Sequence, residues 1–208
     1  MKRSLTSLGL LLALQGLVTT VTAQEALQLR SNTEGIRVGL EVGFKHWASS
    51  YFVQLDESDP NGIGIGISGG YGFNQNWELL GSFEYHDFGL KNDWESYGMS
   101  ALGAGVRYTM GGTLQALRPF AQLGYKYHFL TIDPVYLDGY PYRYRLKGGL
   151  PEFGAGVHYF FQPNMALNLT GAAAFGKFGS FLLDDFGTPD RPDIKTFRLG
   201  IGFNYFIR

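Results

Sequence analysis

The feature that most constrains this chain is a period-two alternation of apolar with polar or glycine residues, repeated in eight runs between residues 36 and 207. Side chains of a strand point alternately to opposite faces, so each run makes one oily face and one polar face. The first run sets Ile36, Val38, Leu40, Val42 and Phe44 against Arg37, Gly39, Glu41, Gly43 and Lys45. The second sets Ile63, Ile65, Ile67, Tyr71 and Phe73 against Gly64, Gly66, Ser68, Gly70 and Gly72. The polar faces of the next five carry Glu78, Glu84 and His86, then Arg107, then Lys126 and His128, then Glu152 and His158, then Asn168 and Thr170. The last sets Phe197, Leu199, Ile201, Phe203, Tyr205 and Ile207 against Arg198, Gly200, Gly202 and Asn204. Runs of about ten residues are long enough to cross a bilayer as tilted strands.

The links between runs alternate in length. Asn74-Gln75-Asn76 and Gln162-Pro163-Asn164 are tight, and Thr109 to Arg118 is somewhat longer. Trp47 to Gly62, Gly89 to Ser96, Thr131 to Gly149 and Lys177 to Ile194 are long. Short turns at one end and long loops at the other, with both termini on the short-turn side, predict an even number of strands. The fold class expected is all-β: a closed antiparallel up-and-down transmembrane β-barrel of about eight strands.

Composition decides which face meets lipid. The chain has 30 glycines, 16% aromatic residues, 17% charged residues and no cysteine, with a net charge of −1. Glycine gathers on the polar face beside the ionic residues, as the narrow interior of an eight-stranded barrel demands. A water-facing sheet would gain nothing from so much glycine. Aromatic residues sit near the ends of the oily runs, where membrane interfaces place them. The missing cysteines exclude thiol catalysis and thiolate metal sites, and the charge gives no reason to expect nucleic acid. Lys2 and Arg3, an apolar stretch from Leu8 to Val18 and Val21-Thr22-Ala23 read as a secretory leader over residues 1–23. Residues 24–34 form a polar lead-in, and 35–208 the barrel domain.

The units Tyr71-Gly72-Phe73 to Trp77-Glu78-Leu79, Ala104-Gly105-Val106-Arg107-Tyr108, Arg118-Pro119-Phe120 and Gly154-Ala155-Gly156-Val157-His158-Tyr159 carry a resemblance. From Gly35 to Arg208 the chain resembles the small eight-stranded outer-membrane barrels of the OmpA and OmpX types. The resemblance implies an outer-membrane location in the bacterial envelope, a monomer, and outer-membrane lipids and the barrel-insertion machinery as partners. It also makes Arg198, Gly200, Phe203 and Tyr205 similar to the family's insertion signal, although this chain runs on through Phe206-Ile207-Arg208 rather than stopping on an aromatic residue.

The candidate chemistry follows from these faces. Arg37, Glu41, Lys45, Glu84, Arg107, Lys126, Glu152 and Arg198 share one narrow lumen and must pair, because isolated buried charges are very costly. They make either a salt-bridged filling or an ion path. His46, His86, His128 and His158 show no metal-ligand spacing. Glu57-Ser58-Asp59-Pro60-Asn61-Gly62 is a turn rather than a calcium loop, because the twelfth position is Ser68. Tyr136, Tyr140, Tyr142, Arg143, Tyr144 and Arg145 form a candidate loop-binding set, or else this loop folds over the barrel mouth or sits among headgroups. The fourth link, with Phe178, Phe181, Leu182, Leu183 and Phe186, is expected to lie on the membrane surface or to meet a partner. Ser180 has no evident base, so no enzyme, cofactor or metal is expected. The function expected is a structural or interaction barrel whose loops bind an extracellular ligand. A narrow pore and a lipid-modifying enzyme are the alternatives.

Overall fold

The computed structural model describes residues 31–53, 59–89, 95–137 and 139–207. The expected leader, residues 24–30 of the lead-in, and Glu57 and Ser58 of the first long link lie outside the described residues. Eight long strands make the wall: β1 (Gly35–Ala48), β2 (Asn61–Gly72), β3 (Trp77–Asp87), β4 (Ser96–Thr109), β5 (Leu117–Leu137), β6 (Tyr140–Gln162), β7 (Met165–Lys177) and, after a short hairpin, β10 (Asp193–Ile207). The hairpin is β8 (Ser180–Leu183) and β9 (Phe186–Gly187). Each wall strand pairs antiparallel with its neighbours. β1 pairs with β10 and β5 with β6, so the ring closes and no wall strand is left with an open edge. Closure lets backbone polar groups be paired within the sheet, the condition for crossing hydrocarbon as strands.

The two faces fall as the alternation requires. Leu40 is 65% exposed and Ile201 61%, whereas Lys45 on the alternate face of the same wall is 1% exposed. A continuous exposed apolar band is the wrong surface for water and the right one for lipid. Aromatic rings edge it at both ends. Trp77 contacts Tyr108 at 4.9 Å and Tyr71 contacts Phe73 at 5.6 Å near the short turns. Tyr127 contacts Phe129 at 5.0 Å near the opposite end.

The third and fourth long links depart from the sequence reading. Residues 131–149, expected as a loop, mostly continue β5 and β6 past the band, and the two strands pair as far as Leu137 and Tyr140. The ladder shifts register once, between Ile132 and Val135, where Pro134 has no N–H to offer. The fourth link folds into β8 and β9, and β8 adds to the side of β6. Its turn uses Asp184 and Asp185, both at positive φ (46° and 72°), as a two-residue hairpin turn requires.

The reason both segments escape a membrane-strand reading is that the alternation inverts above the band. In the membrane part of β6, inward positions are polar (Glu152, His158) and outward ones apolar (Phe153, Tyr159). Further up, Tyr144, Leu146 and Leu150 point inward and are buried, while Arg145 and Lys147 point outward. Water has replaced lipid on the outside, so the hydrophobic effect drives apolar groups inward.

Small residues hold the ladder together at close contacts. A Cβ on Gly105 would lie 2.5 Å from the Leu123 carbonyl oxygen and 2.8 Å from the Gly124 Cα. On outward-facing Gly69 the nearest atom would be 3.8 Å away. Gly105→Val is expected to destabilise the barrel by roughly 1–3 kcal/mol, and Gly69→Val to change stability by no more than about 0.5 kcal/mol. Reversible urea unfolding of the refolded chain in lipid vesicles checks the pair. Equal effects would mean that the inward and outward assignments are wrong.

Candidate functional site

Register decides which charges meet. Lys45 and Arg198 face each other directly across the β1–β10 ladder, an arrangement that repels. Glu84 of β3 enters between them. Its Oε1 accepts from Lys45 Nζ and its Oε2 from Lys126 Nζ (2.8 Å), and Arg198 Nε lies 3.3 Å from the same Oε2. Lys126 also donates to Glu152 at 3.0 Å, and Arg198 pairs with Glu41. Towards the short turns, Arg37 Nε meets Glu78 at 2.5 Å, and Arg107 lies 3.6 Å from the same carboxylate. Arg37 also donates to Ser68 (2.9 Å) and Asn204 (2.6 Å). The chain Asn204–Asn168–Glu41 then links the two ionic groups. All eight candidate lumen charges stand in ion pairs.

The sequence reading omits two further members. Glu78 lies on the same face of β3 as Glu84, and that parity is the signal that could have found it. Arg118 is fully buried at the short-turn end. It donates to Asn32 Oδ1 (2.5 Å), Thr33 Oγ1 (3.1 Å) and the Gln75 carbonyl (2.6 Å), tying the lead-in across the bottom of the barrel. Arg107 also stacks over Phe120, 4.3 Å from its centroid, near the small apolar cluster of Phe160, Ala166 and Phe206.

The long-loop end is closed differently. Trp47, Met99, Leu130, Ile132, Leu146, Leu150 and Ile194 point inward from the wall, and Phe52, Phe178 and Phe181 fold in from the links to meet them. Trp47 Nε1 donates to the Tyr97 hydroxyl (2.8 Å), which donates to the Asp59 carbonyl (3.0 Å). Folding of the third link over the barrel mouth is one of the two readings of its sequence, whereas the inward turn of Trp47, Met99, Leu130 and Ile194 has no signal in the band's alternation. Between cap and base lies a polar cavity of about 50 Å³ lined by Glu41, Ser82, Glu84, Gln122 and Lys126. It has room for a few waters and no more.

The remaining candidates scatter. His86, His128 and His158 are buried in the lumen, while His46 shares a hydrogen bond with Asn61 at 2.9 Å on the outside. No group of His, Asp or Glu suited to a metal ion occurs among the described residues. Of the tyrosine-rich set, Tyr136 and Tyr140 are exposed. Arg143 is tied to Asp133, and Arg145 to Asp185. Tyr144 is not available as a surface contact: it is buried against Phe52 and Phe181 because it points inward, and Tyr142 packs partly on the same cap. Phe178 and Phe181 likewise lie in the cap rather than on a membrane surface. Glu95, Asp133, Tyr136, Tyr142, Arg143 and Asp184 border a rim cleft of about 510 Å³. Elsewhere on the rim, the Asp190 carboxylate accepts the Tyr51 hydroxyl (2.9 Å) and so pushes that phenol above its ordinary pKa.

A family model, the outer membrane protein beta-barrel domain, matches residues 11–206. The chain belongs to this family of outer-membrane barrels. Solved structures share the fold. Neisserial surface protein A (NspA) is 16% identical with a TM-score of 0.63, covering 84% of this chain and 98% of that one. OprG from Pseudomonas aeruginosa is 14% identical at 0.55, covering 84% and 97%. Ail, the attachment invasion locus protein of Yersinia pestis, is 18% identical at 0.52, covering 83% and 99%. No curated protein matches the chain. This outer-membrane barrel therefore carries its short turns at the periplasmic end and its long links outside. On its last strand Arg198 and Gly200 face the lumen and Phe203 and Tyr205 face outward.

Removing one partner of a buried ion group strands the others. Glu84→Ala is expected to cost the barrel about 3–5 kcal/mol. Adding Lys45→Met to that variant should recover most of the loss, because Lys126 then keeps Glu152 and Arg198 keeps Glu41, and no charge is left over. Unfolding midpoints in lipid vesicles check this. A harmless single substitution would show that Glu84 does not hold the group together.

Proposed function

We propose that this barrel is a non-catalytic, non-conducting outer-membrane scaffold, present as a monomer, that offers its extracellular rim to a partner. The observation that carries this reading is closure of the lumen at three heights: the Arg118 tie, the ionic group around Glu84, and the apolar cap. An ion would have to break all three layers, each of which is paired or packed, so the narrow-pore reading has less support. Lipids surround the band. The terminal strand offers Arg198, Gly200, Phe203 and Tyr205 to the insertion machinery.

The partner surface is the outer end of the β5–β6 hairpin. Tyr136 and Tyr140 present exposed rings on a paired hairpin, and the adjoining cleft supplies carboxylates. Aromatic rings on a rigid support give contact area at little entropic cost. Ail has been solved with the heparin analogue sucrose octasulfate. Here Arg143 and Arg145 are each engaged by an aspartate, which favours a ligand rich in hydroxyl and amide donors over a polyanion.

Two measurements test the reading. Planar-bilayer recording of the purified chain is expected to show no steady conductance above the bare bilayer, and sustained open levels would overturn the closed-lumen proposal. Vesicles bearing Tyr136→Ala and Tyr140→Ala are expected to lose about tenfold or more in binding to glycan and protein arrays, as hot-spot aromatics do. An unchanged binding profile, with the barrel folded, would move the partner surface elsewhere.

A further inference from the structure

The outer border of the apolar band carries lysine on one flank only. Outward positions bordering the band on β1 to β5 are His46, Asn61, Asp87, Ser100 and Thr131. On the contiguous strands β6, β7 and β10 they include Lys147, Lys177 and Lys195, all exposed. Register groups these lysines. Lys195 lies opposite Phe175 across the β10–β7 ladder, and Lys177 is two residues further along β7. Such diagonal neighbours stand about 7–8 Å apart. Lys147 continues the step on β6, opposite Ser180 of β8.

The acidic groups nearby are occupied. Asp193 faces Lys177 in the ladder and its carboxylate acts electrostatically on Lys195, but it forms its hydrogen bonds with Ser50, at 3.1 Å from the N–H and 2.5 Å from the hydroxyl. Asp185 holds Arg145. Among the described residues no carboxylate lies within 4 Å of Lys147, Lys177 or Lys195. Directly on the membrane side of the lysines, Phe153 and Phe175 stack at 5.8 Å with ring planes 10° apart, and Phe197 lies on the next strand. Three ammonium groups with no ion pair within 4 Å among the described residues, at the height where hydrocarbon ends and above an aromatic shelf, carry more positive charge than Asp193 offsets and complement a molecule with anionic phosphate at the interface and acyl chains below it.

We infer that the β6–β7–β10 flank docks a phosphorylated lipid of the outer leaflet. The phosphate rests among Lys147, Lys177 and Lys195, and the acyl chains lie along Phe153, Phe175 and Phe197. Asymmetry argues for this occupant over general membrane attraction, which would favour lysines all round the rim.

The test uses the full mature chain in phosphatidylcholine nanodiscs doped with diphosphoryl lipid A or with the same lipid stripped of phosphate, and reads retained lipid by native mass spectrometry. The wild-type chain is expected to retain the phosphorylated lipid and not the stripped one. Lys147→Gln/Lys177→Gln/Lys195→Gln should lower retention about tenfold or more, given the contribution of each lysine near an anionic surface. Lys177→Arg/Lys195→Arg should keep it. Heat-dependent migration in electrophoresis reports that each variant is folded. If the triple variant fails to fold, Lys195→Gln alone should still show a partial loss. Equal retention of both lipids, or undiminished retention by the folded triple variant, would overturn the inference. So would displacement of the lipid by millimolar pyrophosphate, which would make this a free-anion site, or loss of a chain dimer in the triple variant, which would make the occupant a second copy.

Discussion

Everything inside this barrel depends on one carboxylate being shared among cations that would otherwise repel. Strand pairing puts Lys45 opposite Arg198, and closure of an eight-stranded wall brings Lys126 close to both. In so narrow a space water cannot screen them, and the band outside forbids turning them out. Glu84 resolves the conflict from the facing wall, helped by Glu41 and Glu152. The glycine-rich inner faces belong to the same solution, because long ionic side chains fill the barrel only where their neighbours are small.

A second constraint acts along the barrel rather than across it. At the extracellular boundary the surrounding medium changes from hydrocarbon to water, and the preferred side for apolar residues changes with it. The same strand therefore reads ionic-inside below and apolar-inside above. The cap of Trp47, Met99, Ile132, Leu146 and Phe181 is the result. It resembles the core of a soluble β-protein set on top of a membrane barrel, and it holds the β8–β9 hairpin against the wall.

These constraints leave three surfaces free for function: the band, its border and the rim. The border and rim are distinguished by how their charges are used. On the rim Arg143 is paired with Asp133 of its own hairpin and Arg145 with Asp185 of the β8–β9 turn, whereas Lys147, Lys177 and Lys195 at the border have no such ion pair among the described residues. The candidate site was partly legible in the sequence for this reason. Tyr136 and Tyr140 could be picked out by composition and do lie exposed. Tyr144, identical in type and on the same face of β6 as Tyr140, is buried because it lies level with Phe52 and Phe181 of the cap, whereas Tyr140 stands beyond the cap at the hairpin end, and residue type does not tell these heights apart.

The sequence by itself determined the wall: how many strands, which face of each meets lipid, and that the ionic residues share a lumen. A local period of two is enough for that, since every residue in the band experiences the same two environments. Only the tertiary structure decided that Glu84 meets Lys45, that Glu78 and Arg118 join the buried network, and that residues 131–137 and 140–149 are strand and not loop. Partnership across a lumen is a relation between registers of different strands, and the height at which lipid gives way to water is set by the assembled barrel. Neither quantity is carried by any single run of residues.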